Sequence, residues 1–357
     1  MNIVCIGYLH GSGGAERQII MLANEMSRRG HNVALVVLAE NNVRYAIDEK
    51  VKIYDLSSCE KGNNTIIKRF LALKRCLCEL KPDITVNFWL QSAYFAVCIP
   101  QKYTGKIIYS ERGDPGDKEY SGLLGIIRKI CFKFVDGFVF QSRGAQHYFK
   151  QNIRERSIVI NNAVTGDVYK FKSPSYNRQK RIVTVGRLSE QKNQKIIINA
   201  FAEIHDKIPD YVLEIWGEGN LKDELHTQIK KLNMSHKVFL KGTSRDILDK
   251  IYDASLFVLS SNYEGMPNAL MEAMCIGIPC ISTDCKPGGA REIICHGVSG
   301  IIVPIEDQKE LAKAMLLVRD ENLTRFYVSN GWNQREKFSS KIVYTIWESF
   351  LREILLR

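Results

Sequence analysis

The stretch "RIVTVGRLSEQKNQKIIINAFAEI", Arg181–Ile204, decides the fold. A short β-branched run ends on Gly186 and Arg187, a polar loop follows, and then apolar residues recur at helical spacing. That is a β-loop-α unit, and it begins near the middle of the chain. Upstream, apolar runs alternate with helical stretches in "NIVCIGYL", "NVALVVLA", "DITVNFW", "KIIYS", "DGFVFQS" and "SIVINNAV". Downstream the alternation continues through "YVLEIWG", "KVFLKG", "ASLFVLSS", "IPCISTD" and "GIIVPI". Strands that alternate with helices predict parallel sheets covered on both faces. Between them "VYKFKSPSYNRQK", Val168–Lys180, loses periodicity and gains Pro, Ser and Lys, the marks of a linker.

The expected class is therefore α/β, with two doubly wound Rossmann-like domains facing each other across a cleft. The expected boundaries are 1–168, 169–335 and a C-terminal helix, 336–357, returning to the first domain. In such sheets ligands gather at the carboxyl ends of the strands, so the loops after the apolar runs carry the chemistry.

Arg187 and Lys192 lie at one such strand end, just before a helix. A guanidinium fork and a compact ammonium placed together make a clamp for a diphosphate. A second site candidate is "YEGMPNALMEAMCIGIPC", Tyr263–Cys280. Pro267 suits the first position of a short helix, and Gly277 with Pro279 suits its end, which predicts a helix over 267–276. Leu270, Ala273, Met274 and Gly277 then form its buried stripe, with Asn268 and Glu272 one turn apart on a polar face. Glu264 falls in the loop at the helix mouth. There Gly265, Met266 and Asn268 surround the unpaired amides that favour an anion.

In the first half, "GYLHGSGGAERQIIMLANEM" reads as strand, glycine loop and helix. Gly13 and Gly14 let a backbone come close to a ligand, and Glu16 lies in the first helical turn. The loop is not G-x-G-x-x-G, and no strand-end acid follows in place, Glu40 standing in isolation. A nicotinamide dehydrogenase is disfavoured on that ground. His10, just before the glycines, reads as a strand-end residue.

Among 357 residues, 45% hydrophobic, there are ten cysteines without C-x-x-C pairs, which suit buried free thiols in a reducing compartment better than zinc or disulfides. The N-terminus has no basic segment ahead of its apolar run, so it reads as a first strand and not as a signal peptide. No apolar run reaches membrane-spanning length. From Met1 to Thr165, 23 Lys and Arg face 15 Asp and Glu, against 27 and 24 in the remainder. The basic half carries no nucleic-acid-binding motif, so an anionic lipid surface or a lipid diphosphate is its expected partner and nucleic acid is not. Two of its segments mix cations with apolar residues. One carries Lys68, Arg69, Lys74 and Arg75 among Ile66, Ile67, Phe70, Leu71, Leu73 and Leu77. The other carries Arg128, Lys129 and Lys133 among Leu123, Leu124, Ile126, Ile127, Ile130 and Phe134. Both are expected to offer cations to lipid headgroups, giving salt-sensitive docking, or to be ordinary packing helices.

Five motifs in order give the chain a family resemblance: "GGAE" at Gly13–Glu16, "VGRLSEQKN" at Val185–Asn193, "GEG" at Gly217–Gly219, "FLKG" at Phe239–Gly242, and the E-x7-E pair Glu264 and Glu272. Nearly the whole sequence resembles the retaining glycosyltransferases of the GT-B fold, glycosyltransferase family four. With "SERGDP" at Ser110–Pro115, it looks most like bacterial enzymes that extend polyprenyl-diphosphate-linked oligosaccharides or surface polysaccharides. The resemblance implies a UDP-sugar donor, UDP-N-acetylgalactosamine or UDP-galactose, a lipid-linked sugar acceptor, and a place on the cytoplasmic face of the plasma membrane.

It also implies roles. Arg187 and Lys192 neutralise the donor diphosphate, Glu264 approaches the donor sugar and Glu272 contacts the ribose. Gly265, Met266, Pro267 and Asn268 lie under sugar and phosphates, with Gly14, Gly186, Gly217, Gly219 and Gly242 also on the donor side. No D-x-D motif is present to hold a metal, and no cofactor is expected. Where relatives carry a histidine after the strand matching "KIIYS", this chain has Glu111 and Arg112. With Gly13 these are acceptor-side candidates, or Glu111 and Arg112 form a structural ion pair. A nucleotide-sugar epimerase, a phosphorylase and a non-catalytic sugar-nucleotide binder are the competing readings. No pyridoxal-bearing lysine is identifiable for the phosphorylase, and the intact E-x7-E pair opposes the non-catalytic reading.

Overall fold

The computed structural model describes residues 1–9, 11, 13–41, 45–57 and 65–357, so His10 lies outside the described residues. The chain forms two compact units, Met1–Ala163 with Ser340–Arg357, and Val164–Ser339. The change of unit thus falls before Val168–Lys180, the segment expected to be a linker. Val168 and Phe171 are buried in the core of the second unit, and Gln179 opens a strand. Two well-spaced apolar residues anchor a segment whose composition alone reads as loop.

The first unit holds a seven-stranded parallel sheet of β1 (Asn2–Leu9), β2 (Asn32–Asn41), β3 (Lys52–Asp55), β4 (Ile84–Asn87), β5 (Lys106–Ser110), β6 (Gly137–Phe140) and β7 (Ser157–Val159), in the order β3-β2-β1-β4-β5-β6-β7. β3 is the strand the apolar pattern misses. It is a four-residue edge strand with a mostly exposed sequence, "KIYD", held by backbone pairing to β2. The second unit holds β8 (Gln179–Val185), β9 (Val212–Trp216), β10 (Val238–Gly242), β11 (Ala254–Leu259), β12 (Cys280–Thr283) and β13 (Ile301–Val303), parallel, in the order β10-β9-β8-β11-β12-β13. β11 is buried at every position, as expected of a strand covered on both faces.

In the first unit α1 (Gly14–Arg28) and the C-terminal helix Ser340–Leu356 share one core. Val343, Trp347, Phe350, Leu351 and Ile354 are buried along one stripe of that helix, and Gly137 leaves room for Ile354. Glu348 ties the two helices: it accepts from Arg352 at 2.7 Å, from Arg29 at 3.2 Å, and meets His31 Nε2 at 3.1 Å. The Arg352 hydrogen bond, with Arg29 and His31, holds the Glu348 carboxyl down at about 2.

An ordinary glutamate titrates near about 4.3, so the folded state gains stability from this carboxylate above that pH and loses it as pH falls toward the folded value. Urea unfolding of wild type and Glu348→Gln at about pH 6 and about pH 3 is the check. The wild-type advantage should be clear at the higher pH and shrink at the lower one, and an equal difference at both would refute the assignment.

On the other face of this sheet lie α2 (Thr65–Leu80), α3 (Leu90–Val97), α4 (Gln101–Thr104) and α5 (Gly122–Cys131). α2 packs beside α4 and α3 beside α5. The structure shows which way α2 and α5 face. Leu73 and Leu77 of α2 are buried, and the Arg69 guanidinium turns over the Tyr8 ring, while Ile66, Ile67 and Leu71 are exposed. In α5 the buried residues are Arg128 and Cys131. Arg128 is therefore not a lipid-facing cation. It donates to the Pro115 carbonyl at 2.9 Å and lies among the rings of Tyr120, Tyr148 and Phe149.

Nine of the ten cysteines are among the described residues, and all nine are free. Six are buried, Cys78 is half-buried, and Cys98 and Cys295 are exposed, both against the expectation of buried thiols. No helix among the described residues is long and apolar enough to cross a membrane.

Candidate active site

The strand order of the second sheet reverses between β8 and β11: β9 and β10 extend to one side, β12 and β13 to the other. In doubly wound sheets this point of reversal, at the carboxyl ends of the strands, is where ligands bind. Arg187 and Lys192 leave β8 there, and Glu264 leaves β11.

The two loops are sewn together. Ser260 Oγ donates to the Lys192 and Asn193 carbonyls at 2.8 and 2.9 Å. Asn262 N donates to the Gln191 carbonyl at 2.8 Å and its side chain to the Glu190 carbonyl at 3.0 Å. Gln191 returns a bond to the Tyr263 carbonyl at 3.0 Å. Within this frame the Lys192 ammonium donates to Glu264 Oε1, which also accepts from Ser261 Oγ at 2.8 Å. Glu264 is 8% exposed, so its charge is largely withdrawn from water and answered by lysine. Arg187 differs. It is exposed, and its guanidinium makes no hydrogen bond or ion pair among the described residues, while its carbonyl is held by buried Gln194 at 2.8 Å.

Two of the glycines here have a backbone reason. A Cβ on Gly217 would lie 1.9 Å from the Gly186 carbonyl oxygen, and one on Gly219 would lie 2.2 Å from that of Leu188. "GEG" therefore presses the β9 loop onto the β8 loop, with Gly217 N donating to the Gly242 carbonyl at 2.7 Å. At Gly186 a Cβ would make only an ordinary contact with the stem of Lys192, at 3.4 Å. Gly217 and Gly219 set the position of Arg187 and Lys192.

The following helix is Asn268–Cys275, with Pro267 as its N-cap at φ −76° and ψ 101°. Pro267 thus stands one position outside the helix it was expected to begin. Its extended ψ turns the chain from the Gly265–Met266 segment, which is clasped from the far side by Gly289, where a Cβ would lie 2.1 Å from the Gly265 carbonyl oxygen. Met266 and Glu272 are buried, with Asn268 between them at the helix start. Ser261 was not singled out from sequence, and Gly289 was noticed only as part of a glycine pair. The glycine pair 288–289 carried a signal; the serine carried none. Burial pushes the Cys285 thiol up to about 12, Glu264 adding to the effect, so it supplies no thiolate at neutral pH.

In the first unit Gly13 caps α1, whose first residue is exposed Gly14. The buried Glu16 carboxylate folds back to accept from Gly11 N at 3.0 Å and Gly13 N at 3.3 Å. The amides of Gly11 and Gly13 are thus capped by the helix's own carboxylate. After β5, Glu111 accepts from Arg112 N at 3.0 Å, Gly113 N at 3.1 Å and the Tyr109 hydroxyl at 2.9 Å. Burial raises its pKa against the pull of these bonds. The Arg112 guanidinium donates to Asn162 at 3.0 Å and lies 3.8 Å from the Phe88 ring centroid. Burial lowers its pKa to about 9, which leaves it charged at neutral pH. Glu111 thus caps its own loop through backbone amides, and its neighbour's guanidinium is directed to an amide and a ring.

A sequence profile described as "Glycosyl transferases group 1" matches residues 167–337, and one described as "Glycosyltransferase Family 4" matches 12–167. This chain is a GT-B glycosyltransferase of the family-four type. It is 25% identical to the Campylobacter jejuni GalNAc-alpha-(1->4)-GalNAc-alpha-(1->3)-diNAcBac-PP-undecaprenol alpha-1,4-N-acetyl-D-galactosaminyltransferase over 96% of both chains. It is 28% identical to an uncharacterised glycosyltransferase of Methanocaldococcus jannaschii over 84% of this chain and 87% of that one. In fold, this glycosyltransferase resembles Anabaena HepE, solved with UDP and glucose, at a TM-score of 0.82 with 21% identity over 99% of both chains.

Proposed function

We propose that this glycosyltransferase moves a hexose or N-acetylhexosamine, from UDP-N-acetylgalactosamine or UDP-galactose, with retention and without a metal, to a polyprenyl-diphosphate-linked sugar in bacterial surface glycan synthesis. It works peripherally, on the cytoplasmic face of the membrane. The observation that carries the reading is the Lys192–Glu264 pair beside the open Arg187 at the point of reversal between β8 and β11. The name of the Campylobacter relative supports the lipid-linked acceptor and the N-acetylgalactosaminyl donor.

Departure of UDP leaves cation-like charge at the anomeric carbon and negative charge on the bridging oxygen. Arg187 and Lys192 answer the second, aided by the amides at the start of the helix Asn268–Cys275. Glu264 faces the first, and Glu272 takes the ribose. Donor phosphates compete with Glu264 for Lys192, so binding the donor releases the carboxylate toward the sugar. With two protein cations on the diphosphate, a divalent ion is dispensable.

The test is a panel of UDP- and GDP-sugars, read by thermal shift and by slow donor hydrolysis. A ligand at 100 times its Kd stabilises by about 2.7 kcal/mol, which a melt resolves. UDP-N-acetylgalactosamine or UDP-galactose should give the largest shift, and hydrolysis should survive a chelator. A GDP-sugar preference, or restoration only by added magnesium or manganese, would overturn the respective part.

A further inference from the structure

α5 is built with its oily face toward water. Leu123, Leu124, Ile126, Ile127, Ile130 and, just beyond the helix, Phe134 are all exposed, Leu123 at 72% and Phe134 at 63%. They recur at helical spacing as one broad stripe, while the buried side is Arg128 and Cys131. Arg128, locked to the Pro115 carbonyl and ringed by aromatic side chains, pins the helix in this orientation. Gly125 assists, since a Cβ there would lie 2.5 Å from the Tyr120 carbonyl oxygen. Six large apolar side chains on so short a segment exceed what a water-facing helix carries without a partner.

The charge around the stripe says what the partner is. From Ser121 to Val135 there is no acidic residue, and Lys129 and Lys133 are exposed at its margin. On the same side of the sheet α2 exposes Ile66, Ile67 and Leu71 together with Lys68, Lys74 and Arg75. An apolar stripe rimmed by lysines complements an anionic bilayer, whose acyl boundary takes the oil and whose phosphates take the ammonium groups.

We propose that α5 inserts its leucine and isoleucine face into an anionic lipid surface, with Lys129 and Lys133 on headgroup phosphates and α2 as a shallower second contact. This deepens the membrane part of the proposed function by naming the docking element. It also changes the expected behaviour: salt weakens the lysine contacts and leaves the apolar insertion in place.

The test uses the full chain with phosphatidylglycerol-rich and with phosphatidylcholine vesicles, at low and at high salt. The protein should pellet with the anionic vesicles and keep part of that binding at high salt. Ile126→Glu with Ile127→Glu should lose about tenfold or more in vesicle affinity at both salts, because the inserted area is removed. Lys129→Glu with Lys133→Glu should weaken binding at low salt and matter little at high salt. Tryptophan placed by Leu124→Trp should be quenched by lipids brominated in their acyl chains. The UDP-sugar thermal shift should be unchanged in every variant, which shows the fold intact and reads the transferase assignment separately. Wild-type binding to neither vesicle, equal binding by the isoleucine variant, or a dimer dissolved by that variant in place of vesicle binding would overturn the proposal.

Discussion

Glu264→Gln should lower turnover at saturating donor by about 10²- to 10³-fold, the scale for removing one preorganised charge from a developing transition state. The amide keeps the size of the side chain and can still accept from Ser261, so the loop after β11 should hold its course. What disappears is the negative charge, which in the free protein answers Lys192 and which the proposed function sets against the anomeric carbon. Because Lys192 no longer has to leave a carboxylate to reach a phosphate, UDP affinity should hold or tighten. Loss confined to turnover, with UDP binding undiminished, separates a transition-state role from a ground-state one. Steady-state kinetics with calorimetric UDP titration give both quantities. Near-normal turnover would remove Glu264 from the chemistry, and a matching fall in UDP affinity would recast it as a binding residue.

The parts of this site legible in the sequence are those written in local pattern. "RIVTVGR" announces a buried strand and the residues at its end, since a β-branched run stopped by glycine has few other foldings. The short helix after Pro267 was legible for the same reason, to within one residue at its start. Illegible were the bonds between loops. Ser260, Asn262 and Gln191 are polar residues of a kind found in any turn, and nothing nearby marks them as partners across some seventy residues of chain. Periodicity showed that α5 has an apolar stripe but not that it faces outward, because that depends on whether an arginine finds a carbonyl and aromatic rings to bury against. β3 was lost because an exposed edge strand is held by its backbone, and the unit boundary because Val168 and Phe171 are too few to make a pattern. The glycines of "GEG" were legible as a tight place, although the close contact is with the neighbouring loop backbone.

Lys192→Ala and Arg187→Ala should both weaken UDP binding and should part company on stability. On the proposed function each removes a cation from the diphosphate, and a charge-assisted hydrogen bond contributes about 1.5–3 kcal/mol, so a loss of about tenfold to a hundredfold in UDP affinity is expected from either. Arg187 lies in water with no side-chain partner among the described residues, so its removal should leave the melting temperature and urea midpoint of the free protein where they are. Lys192 answers a carboxylate that is 8% exposed, and removing it strands that charge with a serine hydroxyl for company. Breaking a buried pair costs about 3–5 kcal/mol when the partner stays fully desolvated, and the side-chain exposure of Lys192, 19%, puts the expectation at the lower end. Lys192→Ala combined with Glu264→Gln removes both charges and should recover much of the stability lost by Lys192→Ala alone, while UDP affinity stays low. Urea unfolding of the four proteins with calorimetric UDP titration closes the cycle. Additive stability changes would show that the pair carries no coupling. Unchanged UDP affinity in both single alanine variants would take the diphosphate away from this end of β8.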